Sequence, residues 1–148
     1  MYANILLSTD GSDIARNGLK HGIALAKALK AKVTVMTVTE PIFAEYAAGI
    51  GAGWIPSKAE LDHFEAASNE RANKVLDEAR SMTGGMLAEF LHVPNAHPAT
   101  KIIETAKSKG CDLIVMGSHG RRGLRKLILG SQTSEVLADG SVPVLVVY

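Results

Sequence analysis

Apolar residues recur along this chain at two spacings. Ile5-Leu6-Leu7, Leu113-Ile114-Val115-Met116 and Val142-Pro143-Val144-Leu145-Val146-Val147 are nearly unbroken apolar runs, and Val33-Thr34-Val35-Met36-Thr37-Val38 is rich in β-branched residues. Runs of this kind predict short strands buried on both faces. Met86 to Val93 reads as a further strand. Between these runs the apolar residues fall three and four apart, the spacing of one helix face. Ala15, Leu19, Ile23, Ala26 and Leu29 predict the inward side of a helix capped by Ser12, with Asp13 complementing the dipole in its first turn. Leu61, Phe64, Ala72, Val75, Leu76 and Ala79 predict a long helix that stops at Gly84-Gly85. Pro98 suits the first turn of a helix carrying Ile102, Ile103 and Ala106, and a last helix surrounds Glu135-Val136-Leu137. Strands alternating with helices predict an α/β fold, a parallel sheet sandwiched by helices. The stretch from Thr39 to Ser57 shows neither spacing and reads as a long loop, typical of a lid or an interface. With no internal repeat or linker, residues 1–148 read as a single domain.

Composition narrows the classes. A chain of 148 residues with 47% hydrophobic and 21% charged residues suits an ordinary globular domain. A formal net charge of +1 argues against wrapping nucleic acid or coating a membrane. The single cysteine permits no internal disulfide and no cysteine-pair metal site. The first residues lack a basic, long apolar leader, and no stretch is long enough to span a bilayer, so a cytoplasmic location is expected.

Chemistry concentrates after the fourth strand. Met116-Gly117-Ser118-His119-Gly120 is followed, after nine intervening residues, by Gly130-Ser131 at the start of a helical pattern. Glycines let backbone approach a ligand closely, and a helix N-terminus offers amides and partial positive charge to phosphate. Ser131 is expected to cap that helix and offer its hydroxyl to a phosphate oxygen. Arg121, Arg122, Arg125 and Lys126 lie inside the loop and suit phosphate neutralisation, with a solvated surface as the bland alternative. The same glycines would equally serve a connection that binds nothing. Other phosphate motifs fail: no Gly-Lys dipeptide supports a Walker loop, and Gly49-Ile50-Gly51-Ala52-Gly53 continues with Trp54 instead of completing a dinucleotide fingerprint. His21, His63, His92, His97 and His119 show no metal-ligand spacing, and only His119 lies in the proposed pocket. Ser118 and Ser131 have no evident base and orienter, so dedicated catalysis is not indicated.

The spacing Gly117-x2-Gly120-x9-Gly130-Ser131 resembles the nucleotide-binding signature of the universal stress protein family. Ile5-Leu6-Leu7-Ser8-Thr9-Asp10-Gly11-Ser12 resembles the family's opening strand, Cys111 to Gly120 its fourth, and Val142 to Val147 its closing strand. The segment from Pro41 to Glu70 has no recognisable counterpart, and Val93-Pro94-Asn95-Ala96-His97-Pro98 lacks a glycine the family often shows there. The resemblance implies an open five-stranded parallel sheet of order 3-2-1-4-5, Rossmann-like and of the adenine nucleotide α-hydrolase type. Ligand then sits between the first and fourth strands. It further implies that Thr9, Val38 and Met116 line an adenine and ribose pocket, that Asp10 accepts a nucleoside hydrogen bond, and that Gly117, Gly120, Gly130, Ser131, Gln132 and Thr133 meet phosphates, aided by Arg121. The expected ligand is ATP, with Mg2+ held by its phosphates. The expected role is stress-response regulation, with slow ATP hydrolysis at most. A module of the same fold acting only through protein contacts is the alternative. A homodimer built on residues 142–148, supported by Trp54 and its loop, is expected, since an apolar edge strand calls for a cover.

Overall fold

The computed structural model describes residues 1–41, 55–119 and 129–148. Its elements run β1 (Asn4–Ser8), α1 (Asp13–Leu29), β2 (Lys32–Val38), α2 (Lys58–Met82), β3 (Ala88–Val93), α3 (Pro98–Ser108), β4 (Leu113–Gly117), α4 (Ser131–Asp139) and β5 (Val144–Val147). The strands form one five-stranded sheet of order β3-β2-β1-β4-β5, with every neighbouring pair parallel. This is the α/β architecture and strand order expected above.

Alternation along the strands divides the core between two layers. Ile5 and Leu7 of β1 join Leu19 and Ile23 of α1 and Leu76 of α2 on one face. Leu6 of β1 joins Ile102 of α3, Met116 of β4 and Val136 of α4 on the other. Ile5, Leu6 and Leu7 are completely buried, which explains why the central strand reads as an apolar run. Truncating such a side chain to alanine costs about 2–5 kcal/mol. The α1 layer lies unusually close to the sheet. A Cβ on Gly22 would stand 2.3 Å from Leu7 Cδ2, and one on Gly18 would stand 3.2 Å from the Gly117 amide nitrogen.

Several boundaries differ from the sequence reading. Leu29 is exposed: the buried face of α1 ends at Ala26, and the helix closes three residues later at a left-handed C-cap, Lys30 (φ 55°). The buried residues of α2 are Ser68, Ala72, Leu76 and Ala79, while Leu61 and Phe64 are half-buried. Ser57 caps this helix by the reciprocal pairing with Glu60 that a capping box requires. After α2, Gly84 and Gly85 both adopt positive φ, so Met86 and Leu87 belong to the turn, and Leu87 is 94% exposed. β3 therefore begins at Ala88.

The crevice beyond β1 and β4

In an open parallel sheet, ligand crevices form beyond the carboxyl ends of strands where the connections depart to opposite faces. Here β1 leads to α1 on the first face, and β4 leads towards α4 on the second. The ends of β1 and β4 are therefore the switch point.

On the β1 side the turn is fixed by short polar side chains. Thr9 is buried; its amide donates to the Met36 carbonyl at 3.0 Å and its Oγ1 accepts from the Gly11 amide at 3.2 Å. Gly11 has φ +79°, and a Cβ there would lie 2.7 Å from Val75 Cγ2, so this turn requires glycine twice over. Asp10 Oδ1 accepts from the Ser12 amide at 3.0 Å, and Ser12 Oγ accepts from the Ala15 amide at 3.2 Å, capping α1 as expected. Asp10 thus performs the local turn role open to a short carboxylate, and it stands partly accessible at the crevice. Val38, half-buried, closes β2, and Met116 is buried within the second core layer.

On the β4 side the backbone is held from three directions. A Cβ on Gly117 would lie 2.9 Å from Ile14 Cγ2 and 3.1 Å from the Ala15 nitrogen. Close passage of α1 is thus sufficient reason for glycine at this position. Thr133 Oγ1 donates to the Gly117 carbonyl at 3.0 Å, the Gly130 amide donates to the Ser118 carbonyl at 2.9 Å, and the Ser118 amide donates to the Val147 carbonyl at 2.7 Å. Thr133 is 2% exposed, so its hydroxyl proton secures α4 to β4. Gln132 has a similar structural task. Its Oε1 accepts from the Ala99 amide at 2.8 Å, serving the first turn of α3, where the N-cap residue His97 forms no side-chain cap.

Ser131 does not cap α4. The N-cap is Gly130 in extended conformation (φ −60°, ψ 150°), and Ser131 is the exposed first residue of the helix. Among the described residues no side-chain cap serves this N-terminus. The Gly130 bond to the Ser118 carbonyl sets this helix start, with its partial positive charge, beside the end of β4. Next to it, His119 is 7% exposed; its Nδ1 pairs with Ser118 Oγ at 3.0 Å, and its buried Nε2 has no hydrogen-bond partner among the described residues. Gly120 and Arg121, together with Arg122, Arg125, Lys126 and Trp54, lie outside the described residues. Among the described residues no group of three or more His, Cys, Asp or Glu is placed to hold a metal ion. Likewise no helix among them is long and apolar enough to cross a membrane.

The sequence reading missed the supporting tasks of Gln132 and Thr133, which depend on contacts with α3 and β4. The four-residue interval between Gly18 and Gly22 did carry a signal. Two glycines on one helix face mark close approach to a neighbour.

This arrangement, a parallel sheet with its connections parting at β1 and β4, is of the Rossmann-like α/β class of fold. The universal stress protein family model matches residues 1–148, and the chain belongs to that family. It is 30% identical to the universal stress protein YxiE of Bacillus subtilis, over 99% of both chains. It is 35% identical, again over 99% of both, to a universal stress protein of Thermus aquaticus. Among solved structures, protein MJ0577 of Methanocaldococcus jannaschii superposes with a TM-score of 0.79 at 28% identity, covering 99% of this chain and 96% of its own. A universal stress protein in complex with cAMP aligns at TM-score 0.70 and 24% identity, over 99% of this chain and 97% of its own. One from Archaeoglobus fulgidus in complex with dAMP aligns at 0.64 and 17%, over 99% and 98%. At those identities the last two establish the fold.

Proposed function

We propose that the crevice beyond β1 and β4 binds an adenine nucleotide, ATP with Mg2+ carried by its phosphates, and that the protein is a cytoplasmic stress-response regulator rather than a metabolic enzyme. The observation that carries this reading is the start of α4, without a side-chain cap among the described residues and held at the switch point by the Gly130 and Thr133 hydrogen bonds. A helix start presented there suits an anion. Family members of this fold in complex with cAMP and dAMP support adenine as the base. In this reading Thr9, Val38 and Met116 border adenine and ribose, Asp10 accepts from the nucleoside, and Gly117, Gly120, Arg121, Gly130 and Ser131 border the phosphates. Gln132 and Thr133 act behind them, by fixing the helix that faces the ligand.

The test is mass spectrometry of ligand released from gently purified protein, followed by calorimetric titration. An adenine nucleotide in the released fraction, with ATP binding by the stripped protein, is expected. Release of a non-nucleotide ligand, with no heat on titration with ATP, would overturn the reading.

A further inference from the structure

The layer formed by α1 and α2 carries a groove of about 350 Å³, on the face of the sheet away from α3 and α4. Its lining is Lys20, Ile23, Ala24 and Lys27 of α1 together with Met82, the last residue of α2. The four α1 residues fall at i, i+3, i+4 and i+7, so they share one side of that helix. Ile23 is 5% exposed and Met82 packs in part on the same core layer, which gives the groove an apolar floor. Lys20 stands one turn beyond the ion pair from Arg16 Nε to Glu78 Oε1, which joins α1 to α2 at 2.5 Å. Lys27 lies at the other end, against the turn after α2, where a Cβ on Gly84 would stand 3.5 Å from its Nζ.

The charges set this groove apart. Arg16 is met by Asp13 and Glu78, Lys74 by Glu70 and Arg80 by Asp77, whereas among the described residues no carboxylate lies within ion-pair distance of Lys20 or Lys27. Lys27 is in the last turn of α1, where the helix dipole favours a cation, but that reason does not extend to Lys20 in the middle of the helix. The two are seven residues apart, about 10 Å along the helix axis. Two cations at that separation, with an apolar floor between them, complement an acidic amphipathic helix. Such a helix brings carboxylates two turns apart and an apolar side chain between them. A lipid surface calls for clusters of roughly four to eight basic residues, and nucleic acid for a longer basic stripe. A volume at the lower end of the range of ligand sites admits one or two side chains.

We propose that the α1–α2 groove is a docking site for an acidic amphipathic helix of a partner protein, with an apolar side chain seated on Ile23, Ala24 and Met82 and carboxylates on Lys20 and Lys27. The site lies on a different layer from the start of α4 and does not depend on the nucleotide reading.

The experiment adds a synthetic helical peptide, with glutamates at i and i+7 and leucines at i+3 and i+4, to the 15N-labelled full chain. Amide resonances of Lys20, Ile23, Ala24, Lys27 and Met82 should move, and those of Asp10 and Thr133 at the crevice should stay in place. A peptide of the same composition in scrambled order should bind more weakly. Lys20→Glu combined with Lys27→Glu, both at exposed positions, should weaken the first peptide roughly 5- to 30-fold, as the loss and reversal of two surface ion pairs would. A peptide with lysines in place of the glutamates should then bind this variant better than it binds the wild type. No movement of the groove resonances at millimolar peptide overturns the proposal, as do equal affinities for ordered and scrambled peptides or for wild-type and reversed protein. Groove resonances that shift with protein concentration alone would assign the groove to a second copy of this chain. Tighter binding of phosphatidylglycerol vesicles through the same residues would assign it to a lipid surface, and either result overturns the proposal. Thermal melting checks the variant; should it not fold, the two peptides on the wild type decide.

Discussion

Single residues around the crevice divide between those that build it and those that face into it, and the division can be measured. Gly117 belongs to the builders, since an added Cβ would meet Ile14 and the Ala15 backbone at about van der Waals contact or closer. Gly117→Ala should therefore lower stability by about 1–3 kcal/mol, as overpacking does, visible as a lower denaturation midpoint without any ligand present. Asp10 has a turn bond to Ser12 and a place at the crevice. Asp10→Ala should weaken ATP by about 1.5–3 kcal/mol while leaving inorganic triphosphate unaffected. Equal losses for the two would mean that only the turn had been damaged. Asp112 acts far from the crevice, at the amino end of the sheet. Its carboxylate accepts from the Ala3 amide at 2.8 Å and the Asn4 amide at 3.0 Å, and these bonds, that of Ala3 first, hold its pKa below the ordinary aspartate value. The stability it supplies is complete above the unfolded-state pKa and is lost as pH falls through the lower folded-state value. Asp112→Asn should therefore flatten the acid limb of a stability–pH profile and leave the alkaline limb in place.

At the scale of elements, helix starts do much of the positioning. The N-terminus of α3 is served by Gln132, a residue of α4, and His97 Nε2 meets Glu135 Oε2 at 2.6 Å beside it. Gln132→Ala should cost about 0.5–2 kcal/mol, as the loss of a helix cap does, and a thermal melt would read it. How much of this could be seen in the sequence depends on whether the cause was local. Buried parallel strands announce themselves because both faces need apolar side chains, so β1, β2 and β4 were legible. The helices were legible from their apolar spacing, and Ser12 from the short reach between a serine hydroxyl and an amide three residues on. The order of strands entered through the family signature. Leu29 was misplaced because apolar spacing does not show that the buried face of its helix stops at Ala26. Ser131 was misplaced because glycine serves as an N-cap almost as well as serine, and backbone angles alone decide between adjacent candidates. Gly117 reads as a phosphate glycine in sequence, whereas its tightest neighbour is Ile14, a contact that depends on the layer spacing.

For the whole molecule, the open question is how the sheet ends. Among the described residues β5 pairs with β4 on one side only, and Leu145 and Tyr148 are 38% and 74% exposed. Such an edge invites a second copy related by a twofold axis, and we expect a homodimer through residues 142–148. Val144 leans on the second core layer, so a charge there would damage the protomer itself. Leu145→Lys is the cleaner probe. Light scattering should show dimers for the wild type and monomers for this variant, with melting temperature nearly unchanged. Wild-type monomers at high micromolar concentration would refute the assembly.

The hydrogen bond from the Ser118 amide to the Val147 carbonyl joins that edge to the residue beside His119. One end of the bond belongs to the strand expected to meet another copy, and the other to the crevice expected to meet nucleotide. If occupancy changes the free energy of pairing through this link, pairing must change the affinity for nucleotide by the same factor, since linkage between two equilibria is reciprocal. The half-saturation concentration of ligand would then drift with the concentration of protein, and Leu145→Lys, remote from the phosphates, would abolish the drift.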